Sequence, residues 1–159
     1  LKRETMFLKI TLVIMAIPIL ALCIFIGPRI AEFFVELVPE WSFLHYPFLI
    51  GLYATALIYF MALYQTMKLL TYIDNNTAFS EASVTVLKWI KRCAILIGLF
   101  YVVSMPLLIR MAQADDAPGI IVIDLGIIFG CVVIAVFAAV LQKLLQNAIE
   151  IKSENELTV

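Results

Sequence analysis

Four apolar stretches dominate the chain, at residues 7–26, 47–70, 93–109 and 119–141. Each is close to the ~20 residues that a helix rising ~1.5 Å per residue needs to cross ~30 Å of hydrocarbon. The pattern predicts an all-α integral membrane protein, a four-helix transmembrane bundle forming a single domain over residues 1–159. Between the crossings the periodicity changes. Ile30, Phe33, Phe34 and Leu37 recur at helical spacing opposite Arg29, Glu32 and Glu36, which predicts a short amphipathic helix at 29–38 on a membrane surface. A second amphipathic segment covers 80–92, where Val84, Leu87, Ile90 and Cys93 or Ala94 share a face. It either bends or runs straight into the third crossing. After the fourth crossing, Leu141, Leu144, Leu145, Ala148 and Ile151 continue one stripe, so residues 142–152 read as an amphipathic extension.

Local signals punctuate this pattern. Gly27-Pro28 ends or kinks the first helix, because proline removes a backbone donor. Pro39 stops the 29–38 helix, and Trp41, Tyr46 and Phe48 then supply an aromatic belt at the re-entry point. Asp74-Asn75-Asn76 reads as a turn, since Asx residues tolerate left-handed backbone. Thr77 or Ser80 caps the following helix, with Glu81 favourably placed in its first turn. Tyr53, Thr55, Tyr59, Tyr64 and Gln65 give the second crossing polar groups suited to linking helices.

Composition fixes the solvent. Hydrophobic residues are 64% of the 159 and charged residues 14%, with mean hydropathy +1.07. Soluble domains average about 45–50% apolar and about 25% charged residues, so a lipid bilayer is the expected surrounding for most of this surface. The net charge of −1 gives no basis for direct nucleic-acid binding. Its distribution is more informative. Nine of the eleven basic residues (Lys2, Arg3, Lys9, Lys68, Lys88, Lys91, Arg92, Lys143 and Lys152) fall in the N-terminal, middle and C-terminal regions. Four crossings put those regions on one face, and the positive-inside rule makes that face cytoplasmic. The expected location is a bacterial cytoplasmic membrane, multi-pass, with both termini inside. Large Leu22 and the continuing Ile24-Phe25-Ile26 favour an uncleaved first helix over a signal peptide.

Few residues carry candidate chemistry. There is no Walker loop, dinucleotide glycine motif or zinc-binding His-Glu-x-x-His, and lone His45 has no catalytic neighbour in sequence. No enzyme activity, catalytic residue, cofactor or metal is expected. Cys23, Cys93 and Cys131 sit at different predicted depths and read as small buried hydrophobes. Asp124, about five residues into the fourth crossing, is costly there unless protonated, paired or wetted. The favoured expectation puts it in the outer interface, paired with Arg110 or open to external water. Gly126 and Gly130 form a GxxxG, which serves helix packing within the bundle or, alternatively, a homodimer seam. Glu32, Glu36, Glu40, Asp115 and Asp116 form an acidic outer rim.

Three segments carry a resemblance. They are Ile73-Asp74-Asn75-Asn76-Thr77-Ala78-Phe79-Ser80, the Val84, Leu87-Lys88 and Ile90-Lys91 pattern, and the ending Ala148-Ile149-Glu150-Ile151-Lys152-Ser153-Glu154-Asn155-Glu156-Leu157-Thr158-Val159. Together they resemble a bacterial domain-of-unknown-function family of small four-helix membrane proteins. Members are often encoded beside a very small helix-turn-helix regulator of the phage-repressor type. The resemblance implies a non-enzymatic membrane sensor or tether acting with a small cytoplasmic DNA-binding regulator. Phe79, Ser80, Lys88, Lys91, Glu154, Asn155 and Leu157 are the candidate partner surface, and membrane anchoring with helix capping is the equally weighted alternative. A small transporter or channel using Asp124, or an immunity protein meeting cationic membrane-active peptides at the acidic rim, are the other functional alternatives.

Overall fold

The computed structural model describes residues 2–27, 29, 32–33, 36 and 39–158, which contain no strand. Helix α1 spans Lys2–Ala21 and passes into a π-helical turn, Leu22–Ile26. A 3₁₀ turn, Pro39–Leu44, leads into α2 (His45–Asp74); α3 (Glu81–Val103), α4 (Met105–Ala114) and α5 (Gly119–Thr158) follow. Three helical segments are long and apolar enough to cross a membrane: Arg3–Phe25, Tyr46–Asp74 and Gly119–Leu157. A fourth span exists only if α3 and α4, bent by 48° relative to each other, count as one.

That break corrects the expectation of an uninterrupted crossing at 93–109. Pro106 is the second residue of α4, and a proline disfavours helical backbone at the residue before it while lacking an N–H of its own. The ladder therefore closes off at Ser104, whose N–H donates to Phe100 O at 2.9 Å, and restarts with Leu108 N–H donating to Ser104 O at 3.0 Å. In α1 the irregularity begins earlier than the Gly27-Pro28 signal suggested. Gly27 N–H reaches back five residues to Leu22 O, and Pro18 lies within the preceding helix. Pro28 is outside the described residues. So is most of the 29–38 amphipathic segment, including Ile30, Phe34 and Leu37; Arg29, Glu32, Phe33 and Glu36 are helical and exposed.

The helices form a row rather than a closed ring. α1 packs along α2, α2 on α3, and α3 on α5 in the most extensive interface, with α4 folded back onto α5. Among the described residues, α1 makes no comparable contact with α3 or α5. Two tyrosines bolt α1 to α2: Tyr53 OH donates to Cys23 O and Tyr59 OH to Met15 O, both at 3.1 Å. These hydroxyls serve helix linkage, as their positions in α2 suggested. At the basic end of the same pair, Lys9 Nζ meets Asp74 Oδ2 at 3.0 Å, and the buried Thr5 hydroxyl donates to the same carboxylate. An acid in the last turn opposes the helix dipole, and Lys9 offsets that opposition.

The 80–92 segment is the first half of α3, running straight into the crossing. Ser80 has extended backbone and its hydroxyl accepts from Ser83 N–H, making it the N-cap. Asn76 takes the left-handed conformation (φ 58°) that the turn requires. Ser83, Val84, Val86 and Leu87 are buried. Their stripe meets neighbouring helices, so it is unavailable to lipid. Lys91, on the adjoining face, donates from Nζ to Gln142 Oε1 on α5 at 3.3 Å. Residues 142–152 likewise continue α5 without a break.

Candidate functional sites

At the basic end, Phe79 precedes the Ser80 cap and is held beside the last turns of α5. Together with Ala148, Ile151, Lys152, Asn155 and Glu156 it lines an open groove of about 710 Å³. Phe79 is 61% exposed and Ile151 59% exposed, a large uncovered apolar area with a charged rim. The groove joins two segments that sequence alone could only place on one face. Its residues are positioned from beneath: the buried start of α3 and the Lys91–Gln142 bond fix α3 against α5. Of the residues singled out from sequence, Phe79 and Asn155 line the groove, while Lys88, Glu154 and Leu157 are exposed nearby in the chain. Ser80 is committed to capping, donating from Oγ to Thr77 O at 2.7 Å, and Lys91 to α5. Ala148, Ile151, Lys152 and Glu156 also line it, all within the ending at 148–159; the signal for Ala148 and Ile151 was the apolar stripe that continues past the membrane-length run.

Toward the opposite end lies Asp124, in the second turn of α5. It is 2% exposed, and neither carboxylate oxygen has a hydrogen-bond partner. This corrects the expected pairing with Arg110. Arg110 Nη2 instead meets Glu40 Oε2 at 3.0 Å on the exposed rim. The arginine lies on α4 and Glu40 on the 3₁₀ turn before α2, so the pair ties the re-entry segment to α4. Tyr101, one turn before the Ser104 break, lies within electrostatic reach of Asp124, Cys131 and Cys23. Thr55 on α2 is buried and donates to Leu52 O at 2.9 Å.

Between α1 and α5 the open row leaves a second groove, of about 660 Å³, floored by α2 and α3. Cys23, Tyr59, Thr66, Tyr101, Gly130 and Ile134 mark its length. The Tyr53, Tyr59, Thr55 and Thr66 hydroxyls all donate to backbone carbonyls, leaving a chiefly apolar lining. The GxxxG expectation changes here. A Cβ at Gly126 or Gly130 would meet nothing within 4 Å, so neither glycine admits a close helix within this chain. Close approach occurs at Gly51, against the Phe100 ring, and at Gly98, 3.2 Å from Cys131 Cβ. Among the described residues no group of three or more His, Cys, Asp or Glu side chains could hold a metal.

Residues 29–159 match the family model "Protein of unknown function (DUF2975)". The chain belongs to the DUF2975 family. It is 58% identical over 158 residues to "Uncharacterized membrane protein YoaS" of Bacillus subtilis (strain 168), covering 99% of both chains. No solved structure matches. The protein is thus a membrane protein with three to four candidate spans.

Proposed function

We propose that the protein is a non-enzymatic membrane tether or sensor whose basic end docks a small soluble helix-turn-helix regulator on the cytoplasmic side. The observation that carries this reading is the groove at Phe79. Two segments about seventy residues apart converge to present uncovered Phe79 and Ile151 between Lys152, Asn155 and Glu156. An apolar floor with a mixed-charge rim suits an amphipathic helix, whose anchors recur at i, i+3 and i+4. The nine-to-two distribution of basic residues supports a cytoplasmic orientation for this end, where such a partner is available. The helices that carry the site are already formed, α5 as far as Thr158 and α3 from its Ser80 cap, so docking needs no new helix.

Co-purification from membranes tests this. The bait is the full-length protein, and the prey is a helix-turn-helix product encoded beside it. Phe79→Ala combined with Ile151→Ser should reduce capture at least tenfold, since truncating central anchors typically costs about 2 kcal/mol or more. Deleting residues 153–159 should weaken it too. Undiminished capture by both variants, or no capture by the unaltered protein, sinks the reading.

A further inference from the structure

Asp124 is the outstanding anomaly of the fold. Buried polar groups in native structures are almost always partnered, and an unpartnered one calls for an explanation. Here both oxygens of one carboxylate are buried without a hydrogen bond, on a helix long and apolar enough to cross a membrane. A full charge left unpaired there is strongly disfavoured.

The surroundings restrict what can neutralise it. Within electrostatic reach of Tyr101 on α3 lie Asp124, Cys131 and Cys23, and none of these supplies positive charge. Arg110 on α4 is taken by Glu40. Asp115 and Asp116, in the turn before α5, are exposed and share its sign. A hard cation such as Ca²⁺ takes six or more oxygen ligands, and no acidic cluster supplies them among the described residues. A proton needs only the carboxylate. Access is short as well: Asp124 lies ~7–8 Å along α5 from its start at Gly119, at ~1.5 Å per residue. Facing this end of α5 is the α3–α4 break, the one interruption in the helices that pack on it.

We propose that Asp124 is a proton-binding site, loaded from water at the acidic end of the protein. The step is a simple transfer. Hydronium gives its proton to one carboxylate oxygen, a carboxylic acid O–H forms, and water leaves. With Asp124 alone at this depth, the site stores a proton and has no onward acceptor of its own kind. The inference does not rest on the docking reading.

Infrared spectroscopy of the full-length protein in lipid vesicles, titrated across pH, tests it. The difference between unaltered protein and Asp124→Asn should contain one carboxylic-acid C=O band that appears on protonation. Asp124→Glu should restore a band, shifted in frequency, and Asp115→Asn with Asp116→Asn should leave the original band in place. A titrating spectrum identical in Asp124→Asn overturns the assignment. So does an Asp124 band lost with Asp115 and Asp116, which would place the proton in the turn.

Discussion

Substituting alanine for Gly51 tests the helix row at its tightest crossing. A Cβ there would sit 2.6 Å from Phe100 Cζ and 3.1 Å from Cδ2, besides a still shorter approach to Cε2. Ordinary carbon contacts are about 3.5–4.0 Å, so either the ring or the helix pair must move. The ring has little room. It stacks on Phe48, centroids 6.3 Å apart, and meets Tyr101 edge-on at 5.3 Å. Overpacking of this kind costs about 1–3 kcal/mol, against a gain of about 0.5–1 kcal/mol for replacing a mid-helix glycine. The net loss is up to about 2.5 kcal/mol, equivalent to a Tm lower by up to roughly 10 °C for a chain of this size. Gly126→Ala and Gly130→Ala meet open space and should leave Tm unchanged or slightly raised. Circular dichroism melts of the detergent-solubilised variants read all three. A loss at Gly126 or Gly130 as large as at Gly51 would refute the reasoning, because it would mean that another helix covers the GxxxG face.

Two further outcomes follow from the basic end. Ser80→Ala removes the cap from α3 and should cost about 0.5–2 kcal/mol, read as faster amide hydrogen exchange in the first turn after Glu81; unchanged exchange there would remove Ser80 from its capping role. Lys9→Met leaves Asp74 against the α2 dipole and should cost on the order of 1 kcal/mol for a partly buried charged hydrogen bond. A double-mutant cycle with Asp74→Asn checks it, and additive effects would mean that the 3.0 Å pair carries no coupling.

Much of the fold was legible because hydrocarbon thickness and helical rise together fix the length of a crossing. The apolar runs located α1, α2 and α5, and the Asx turn and Ser80 cap placed the start of α3. Two kinds of information were missing. Pro106 was visible, but whether a proline kinks a span or divides it depends on the backbone carbonyls around it, here at Phe100 and Ser104. Pairing was the other gap. An amphipathic stripe states that a face is covered without saying by what, so Val84 and Leu87 fitted a lipid surface as well as α5. Arg110 had several acids in reach of its sequence position, and only the fold brings Glu40 rather than Asp124 to it. Gly126 and Gly130 matched a packing motif, yet the close approaches were at Gly27, against Tyr53, and at Gly51 and Gly98. At the docking groove, convergence of Phe79 with Ile151 required the α3–α5 register, which no single segment encodes.

That register also bears on how the two ends of the molecule relate. α5 runs unbroken from Gly119 to Thr158 and carries Asp124 near one end and Asn155 near the other, ~46 Å apart at helical rise. α3 accompanies it, from the Ser80 cap next to Phe79 at the groove to Tyr101, within electrostatic reach of Asp124. α1 is fastened to α2, and among the described residues α2 packs on α3 without a comparable contact to α5. A sensor needs two states whose balance both ends bias, not merely a connection between them. The α3–α5 interface provides the connection, and the Ser104 break lies at the Asp124 end of it. For the proposed sensor, proton binding at Asp124 would remove the cost of a buried charge only in a state that keeps the carboxylate buried, which is the differential energy that a shift between states requires.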